Sequence, residues 1–227
     1  MCGRYTLATP DPSRIRARFA IGEQLDVRRR YNVAPGDDVL AVLRRGSSEP
    51  QGAVLRWGLV PYWARDPREL GVKTINARAE TLQERPAYRD AFARRRCLIV
   101  ADGFYEWSAG APHWITRSDG EPFAFAGLWA SWRPPAEERV EPLRSCAIVT
   151  TAASGPVRDL HDRMPVILPA AAERTWLHPD SDPAQLRALL DSARVTELVT
   201  RPVSRAVNDA RHDEPDCLDP PEQAALF

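Results

Sequence analysis

Apolar runs mark the strands of this chain before any chemistry is considered. Val39-Leu40-Ala41-Val42-Leu43 is continuously apolar and is bounded by Pro35-Gly36 and by Arg45-Gly46-Ser47-Ser48, which predicts a buried strand ending in a turn. Residues 53–57 follow across that turn and predict the second arm of a hairpin. Residues 97–101 and 146–151 predict two further core strands, and residues 195–203 a late one. His113-Trp114-Ile115-Thr116 and residues 122–129 flank Ser118-Asp119-Gly120, a sequence that predicts another hairpin.

Helical periods are fewer. Asp11-Pro12-Ser13 is a helix start, and Ile15 with Phe19 forms a short apolar stripe that ends by Gly22. Thr74 to Glu80 leads into a helical stretch interrupted at Pro86. Residues 87–95 resume it, with Tyr88, Ala91 and Phe92 on one side, and residues 170–177 and 183–190 predict two more helices. Residues 133–142 predict an exposed loop, and the acidic, Pro-containing tail at 209–227 is expected to lie loosely on the surface. No repeat or linker divides the chain. The expectation is one α+β domain over 1–227, with a core at about 2–208: antiparallel sheets forming a barrel-like core, with peripheral helices.

Composition narrows the class. Of 227 residues, 44% are hydrophobic and 27% charged, ordinary for a globular protein, and the formal net charge is zero. No apolar run approaches the ~18 residues of a membrane span, and the start lacks a signal-peptide layout, so a cytoplasmic protein with no membrane partner is expected. Cys2, Cys97, Cys146 and Cys217 form no C-x-x-C pair, and no P-loop or GxGxxG occurs; neither a metal nor a cofactor is implied. Lys73 is the only lysine, and the clustered arginines at 28–30, 44–45 and 94–96 read as solvated faces or as a local basic groove suited to phosphate.

Candidate chemistry begins at Met1-Cys2. With Met1 removed, Cys2 carries an amine titrating near ~7.7–8.0 beside a thiol near ~8.5. Such a 1,2-aminothiol can attack an aldehyde twice, first as an imine and then by ring closure through sulfur to a thiazolidine. Trp57-Gly58-Leu59-Val60-Pro61-Tyr62-Trp63 sets three large rings on a Pro-containing loop, suited to core packing or to stacking on an exposed base. Glu106, between Tyr105 and Trp107, is either turned to solvent by strand alternation or held in a low-dielectric site with a raised pKa. His161 lies in the dense polar cluster His161-Asp162-Arg163 beside a core strand, where a structural and a catalytic role are both open.

Met1-Cys2-Gly3-Arg4-Tyr5, Tyr31-Asn32-Val33-Ala34-Pro35-Gly36, Trp57-Gly58-Leu59-Val60-Pro61, Ile75-Asn76-Ala77-Arg78-Ala79-Glu80, Ala101-Asp102-Gly103-Phe104-Tyr105-Glu106-Trp107, Ile148-Val149-Thr150, His161-Asp162-Arg163-Met164-Pro165 and Pro202-Val203-Ser204-Arg205-Ala206-Val207-Asn208 together resemble the SOS-response-associated peptidase family, in the family's order. The resemblance implies a shield for abasic sites in single-stranded DNA, working as a monomer, that crosslinks its N-terminal cysteine to the ring-opened deoxyribose as a thiazolidine. It also implies self-processing peptidase and abasic-site lyase activities. Cys2 matches the nucleophile, and Asn76, Glu106 and His161 match the polar positions around it. Glu106 would exchange protons with the sugar, His161 would assist, and Asn76 would orient the amine or sulfur. Arg4, Arg78 and Arg163 match positions that face DNA phosphates, while Trp57 and Trp63 are expected to stack beside the lesion.

Other classes share parts of this pattern. Glutamine amidotransferases also begin Met-Cys-Gly and use Cys2 as an acyl nucleophile with its own amine as base, but their usual pattern lacks the Gly-Phe-Tyr-Glu-Trp and His-Asp-Arg-Met-Pro blocks. A peptidase acting on its own terminus and a reversible DNA-binding module are the remaining alternatives.

Overall fold

The computed structural model describes residues 2–9, 11–46, 48–134, 141–192 and 197–222. In chain order its elements are β1 (Tyr5–Leu7), α1 (Pro12–Phe19), β2 (Arg30–Val33), β3 (Asp38–Leu43), β4 (Gln51–Trp57), α2 (Pro67–Gly71), β5 (Asn76–Arg78), α3 (Arg89–Arg94), β6 (Arg96–Ala101) and β7 (Gly103–Ser108). There follow β8 (Ala111–Arg117), β9 (Phe123–Trp132), β10 (Leu143–Ala152), β11 (Arg163–Pro165), β12 (Ile167–Leu168), α4 (Ala170–Leu177), α5 (Pro183–Ser192) and β13 (Leu198–Pro202). Short 3-10 turns fill several connections.

Strand pairing closes a barrel. The order β10-β4-β3-β6-β9 returns to β10 through a β9–β10 ladder running from Leu143↔Trp132 to Ile148↔Gly127, so five strands form a ring with no free edge among them. Along these strands alternate side chains take opposite sides. Leu40, Val42, Leu98, Val100 and Ala126 share one apolar cluster with Ile15 and Phe19 of α1, Phe92 of α3, Trp176 of α4 and Leu190 of α5; the helices therefore coat the outside. Ala41, Leu55, Ile99, Phe125 and Ile148 take the other side and cluster with Cys2, Tyr5 and Phe104. Those three belong to the second sheet, β13-β8-β7-β1-β2, and to the segment that leads into it. The expected α+β domain with a barrel-like core and peripheral helices is thus present.

Several local expectations are corrected. β4 and β5 run parallel to β10, not antiparallel, because the long excursion between residues 57 and 143 lets β10 return in the same direction. The turn at Ser118-Asp119-Gly120 exists, with Gly120 N–H donating to Arg117 O at 3.1 Å, but it joins two sheets: β8 pairs with β7 and β13, and β9 with β6, β10 and β12. The hairpin in this region is β7–β8. Its two-residue turn is Ala109-Gly110, both at positive φ (49° and 78°), the geometry of a type I′ turn without the usual Asn or Asp. Residues 76–81 form β5 and a single 3-10 turn in place of the start of a helix. The α1 start is as the sequence predicts, Asp11 capping Ser13 N–H at 2.9 Å with Pro12 in the first turn.

The tail also departs from expectation. Asn32 is fully buried, and its Nδ2 lies at 3.2, 2.8 and 2.7 Å from the carbonyls of Val207, Asp209 and His212. Asp213 accepts the N–H groups of Tyr31 and Asn32 at 2.5 and 2.7 Å and pairs with Arg30, and Cys217 is buried against Tyr105, Val203 and Val207. Residues 209–218 are therefore clasped to β2 rather than loose; 223–227, like 135–140 of the expected loop and 195–196 of the late strand, lie outside the described residues. Among the described residues, no helix is long and apolar enough to cross a membrane.

Asn32→Ala removes the buried side chain that ties the carbonyls of Val207, Asp209 and His212 to β2, and we expect it to cost roughly 1–3 kcal/mol. Urea unfolding should show this loss. Faster hydrogen exchange at the Tyr31 and Asn32 amides should accompany it; unchanged stability would show that the clasp does not depend on Asn32.

Candidate active site

Cys2 sits where three elements meet. Its side chain is wholly buried among Tyr5, Trp57, Phe104 and Ile148, its carbonyl accepts Asn76 Nδ2 at 2.7 Å, and its Sγ lies 3.8 Å from Arg4 O. Arg4 O in turn accepts Tyr105 N–H at 3.0 Å, which ties the segment before β1 to β7. Asp102 completes the anchorage. Its carboxylate, buried at the β6–β7 junction, accepts the hydroxyls of Thr6 at 2.6 Å and Thr9 at 2.8 Å. Gly103 is needed beside it, because a Cβ there would lie 2.2 Å from the Trp114 indole nitrogen. Asn76 is placed by β5, whose register with β10 sets Asn76 opposite Ile148 and Arg78 opposite Thr150. Asn76 Oδ1 is buried without a hydrogen-bond partner among the described residues, so an acceptor is left beside the Cys2 backbone.

Strand alternation resolves Glu106. On β7 it shares the face of Phe104, which packs in the Cys2 cluster, while Tyr105 points the other way to the tail. The carboxyl is almost completely buried, and burial pushes its pKa up to about 7. A second effect is reciprocal. Burial first, and then the negative charge of Glu106, push the Cys2 thiol far above its ordinary value, so the sulfur is held as S–H at neutral pH. Asp162 also raises Glu106, which places the His161-Asp162 turn within electrostatic reach of the same carboxyl.

His161 follows a 3-10 turn (Gly155–Asp159), with its N–H on Val157 O at 2.9 Å. Its Nδ1 lies 2.9 Å from Arg163 N–H and 2.7 Å from Asp162 Oδ1. One tautomer cannot serve both. A neutral ring with a bare Nδ1 accepts from Arg163, whereas a ring protonated at Nδ1 donates to Asp162, so the turn offers the imidazole a partner in each state.

The structure sorts the expected DNA contacts. Arg78 is exposed at the end of β5. Arg163 joins it across β10, where its Nη2 donates to Thr150 O at 2.7 Å, and both its Nη atoms are taken by Glu80. Arg4 is turned elsewhere: its Nη1 donates to Asn32 Oδ1 at 3.1 Å and Val207 O at 2.8 Å, making it a strut of the tail clasp. Trp57 is 1% exposed, packs edge-on to Tyr5 at 5.4 Å and donates Nε1 to Ile75 O at 2.9 Å, so its ring has no face for a base. Trp63, 44% exposed beside Tyr62, keeps one. Lys73 pairs with Glu69 on the surface at 2.8 Å.

Sequence reasoning passed over Glu80, Asp102 and Asp162 as site residues. Each lay inside a quoted block; for Glu80 and Asp162 the available signal was an acidic residue close to a matched arginine or histidine, and for Asp102 there was none beyond its place at the end of a core strand. A cavity of about 490 Å³ is lined by Trp57, Gly58, Arg56 and Arg68 and by none of Cys2, Asn76, Glu106 or His161. His212, Asp216 and Cys217 bring ligand-type atoms within 4.8 Å of one another, but they belong to the clasp, where His212 Nε2 meets Asp216 Oδ1 at 2.7 Å.

A family model described as SOS response associated peptidase (SRAP) matches residues 1–210. The abasic site processing protein YoqW of Bacillus subtilis is 39% identical over 228 residues, covering 96% of this chain and 99% of its own. The abasic site processing protein HMCES of Xenopus tropicalis is 34% identical over 197 residues, 76% of this chain and 58% of that longer protein. A crystal structure of a Bacteroides thetaiotaomicron protein superposes with a TM-score of 0.83 over 96% of this chain and 99% of that one at 22% identity, a likeness of fold.

Glu106 supplies a pH signature. Its folded pKa of about 7 stands above the ordinary 4.5, so between these values the folded state holds a proton that the unfolded state has lost. Stability contributed by neutral Glu106 is therefore full below about pH 4.5 and is lost as pH rises through 7. Relative to Glu106→Gln, the wild type should lose roughly 1–3 kcal/mol between pH 5 and pH 8 in urea unfolding. Parallel pH profiles for the two proteins would show that the carboxyl is not held neutral.

Proposed function

Because this chain belongs to the SOS response associated peptidase (SRAP) family, we propose that it processes abasic sites by covalent capture of the lesion in single-stranded DNA on Cys2. The observation that carries the reading is the pairing of a fully buried Cys2, fixed through its carbonyl by Asn76, with a Glu106 carboxyl whose pKa lies near neutrality. A group that is half protonated near pH 7 both gives and takes protons, as ring opening and imine formation require.

The chemistry follows from the protonation states. With Met1 removed, the Cys2 amine is the stronger nucleophile, since its sulfur is held as S–H. Glu106 protonates the deoxyribose ring oxygen as the C1′ hydroxyl loses its proton, and the sugar opens to the aldehyde. The amine adds to C1′, and one water leaves to give the imine. Sγ then bonds to the same carbon, its proton passing by way of Glu106 to the imine nitrogen, and the five-membered thiazolidine closes. The net change is one aldehyde and one aminothiol converted to one thiazolidine and one water.

Asn76 Oδ1 is the acceptor that orients the amine, and His161, held by Arg163 N–H and Asp162, assists. Arg78 and Arg163 bind flanking phosphates, and Trp63 stacks on a neighbouring base. Met1 removal by the protein itself, with Glu106 and His161 assisting, is the form of peptidase activity this site suits. Without the sulfur the imine can instead expel the 3′ phosphate by β-elimination, which is the lyase reaction.

Protein incubated with single-stranded DNA bearing one abasic site should yield, by mass spectrometry, an adduct on Cys2 that needs no borohydride. Cys2→Ser should give only a borohydride-dependent imine with strand cleavage. No adduct, or one on Lys73 alone, would overturn covalent capture on Cys2; a borohydride-independent adduct of Cys2→Ser would overturn the thiazolidine step.

A further inference from the structure

Arg163 presents a guanidinium fork beside the site, and the fork is already filled. Nη1 and Nη2 donate to the two carboxylate oxygens of Glu80 at 2.6 and 2.9 Å. The arginine side chain is 12% exposed against 51% for Glu80, so the carboxylate stands on the solvent side of the guanidinium. The Arg163 hydrogen bond, reinforced by the charges of Arg163 and Arg78, holds the Glu80 carboxyl below its ordinary range. A carboxylate and a phosphodiester use the same pair of parallel N–H groups on an arginine. Thr150 O, on Nη2, fixes the guanidinium from the barrel side. Glu80 itself is held on a 3-10 turn (Ala79–Thr81) directly after β5, two residues from Arg78.

We propose that Glu80 is a specificity-determining residue that occupies the phosphate seat of Arg163, so that a strand gains this contact only by displacing the carboxylate. The proposal rests on the DNA-binding reading above. An intact strand brings only its phosphate charge, and exchanging one anion for another on Arg163 while facing a displaced carboxylate returns little. A strand tethered through its lesion at Cys2 presents its neighbouring phosphate intramolecularly, at high effective concentration, and completes the exchange. Glu80 thus weakens binding to undamaged DNA more than to captured DNA.

The test measures fluorescence anisotropy of an intact single-stranded oligonucleotide over a salt series, with wild type, Glu80→Gln, Arg163→Gln and the double variant, alongside adduct yield on abasic DNA. Gln keeps the size of the side chain and one acceptor for Arg163. Glu80→Gln should bind the intact strand roughly two- to fivefold more tightly. Its slope of log affinity against log salt should be steeper by about 0.7, the signature of one added phosphate contact. The double variant should lose both gains. Weaker binding by Glu80→Gln, or an unchanged slope, would show that Glu80 merely supports Arg163 and would overturn the proposal. A gain on intact DNA with no Cys2 adduct in wild type would sink capture and leave the gate standing; an adduct without the gain would do the reverse. If neither protein binds the strand, both fall.

Discussion

β10 is the element on which the rest of the structure depends. In ten residues it pairs with β9 and β4 to close the barrel and, further along, with β5 and β11. Ile148 is held opposite Asn76, Thr150 opposite both Arg78 and Pro165, and Ala152 opposite Arg163. A polar side chain from residue 76, the exposed Arg78 and the His161-Asp162-Arg163 turn are thereby fixed in one place, although some 85 positions separate them along the chain. A register slip on β10 would reverse which side chains face Cys2. Loop flexibility is consequently a poor explanation for this site, which is built on strand ladders.

The second organising feature is mutual electrostatics in a dry place. Cys2 and Glu106 lie on the same buried face; burial raises both pKa values, leaving Glu106 near its midpoint at neutral pH and Cys2 as S–H, with the ionised form of Glu106 further opposing the thiolate. A carboxyl at that position is a stability cost; in the capture proposed above it is the proton carrier. In that proposed capture, this arrangement has nitrogen attack first and sulfur close the ring. It also separates this terminus from a thiolate nucleophile of the kind acyl-transfer chemistry uses, where a depressed thiol pKa is the usual device.

Much of this was legible in the sequence, and the failures have physical reasons. The core strands and four of the helices follow from apolar runs, caps and periods that are local. Parallel pairing of β4 and β5 with β10 is not local, and no pattern within either strand announces it. The Ala109-Gly110 turn escaped notice because its first residue lacks the polar side chain that usually marks a left-handed turn, whereas Asp119-Gly120 drew attention to a true turn between strands of different sheets. Cys2, Asn76 and Glu106 could be named from the sequence as candidates, but whether Glu106 faced solvent depended on which face of β7 met the barrel. For Trp57 and Arg4 residue type suggested a ligand, and what no local pattern showed is that Trp57 packs against Tyr5 and that Arg4 bonds to Asn32 and Val207. The clasp of residues 209–218 was hidden by its polar composition, since its hold on β2 is made by Asn32 and Asp213 hydrogen bonds rather than by an apolar stripe.

In the proposed capture the amine and the sulfur of Cys2 end on one carbon of the lesion. Carbon-13 NMR of the crosslinked complex, prepared from an oligonucleotide labelled at C1′ of its abasic deoxyribose and from nitrogen-15-labelled protein, tests this directly. Capture through both atoms predicts a single saturated carbon, coupled to nitrogen and carrying the shift of a carbon bonded to both nitrogen and sulfur. An unsaturated imine carbon as the end state, or a saturated carbon bonded to sulfur without coupling to nitrogen, would contradict it.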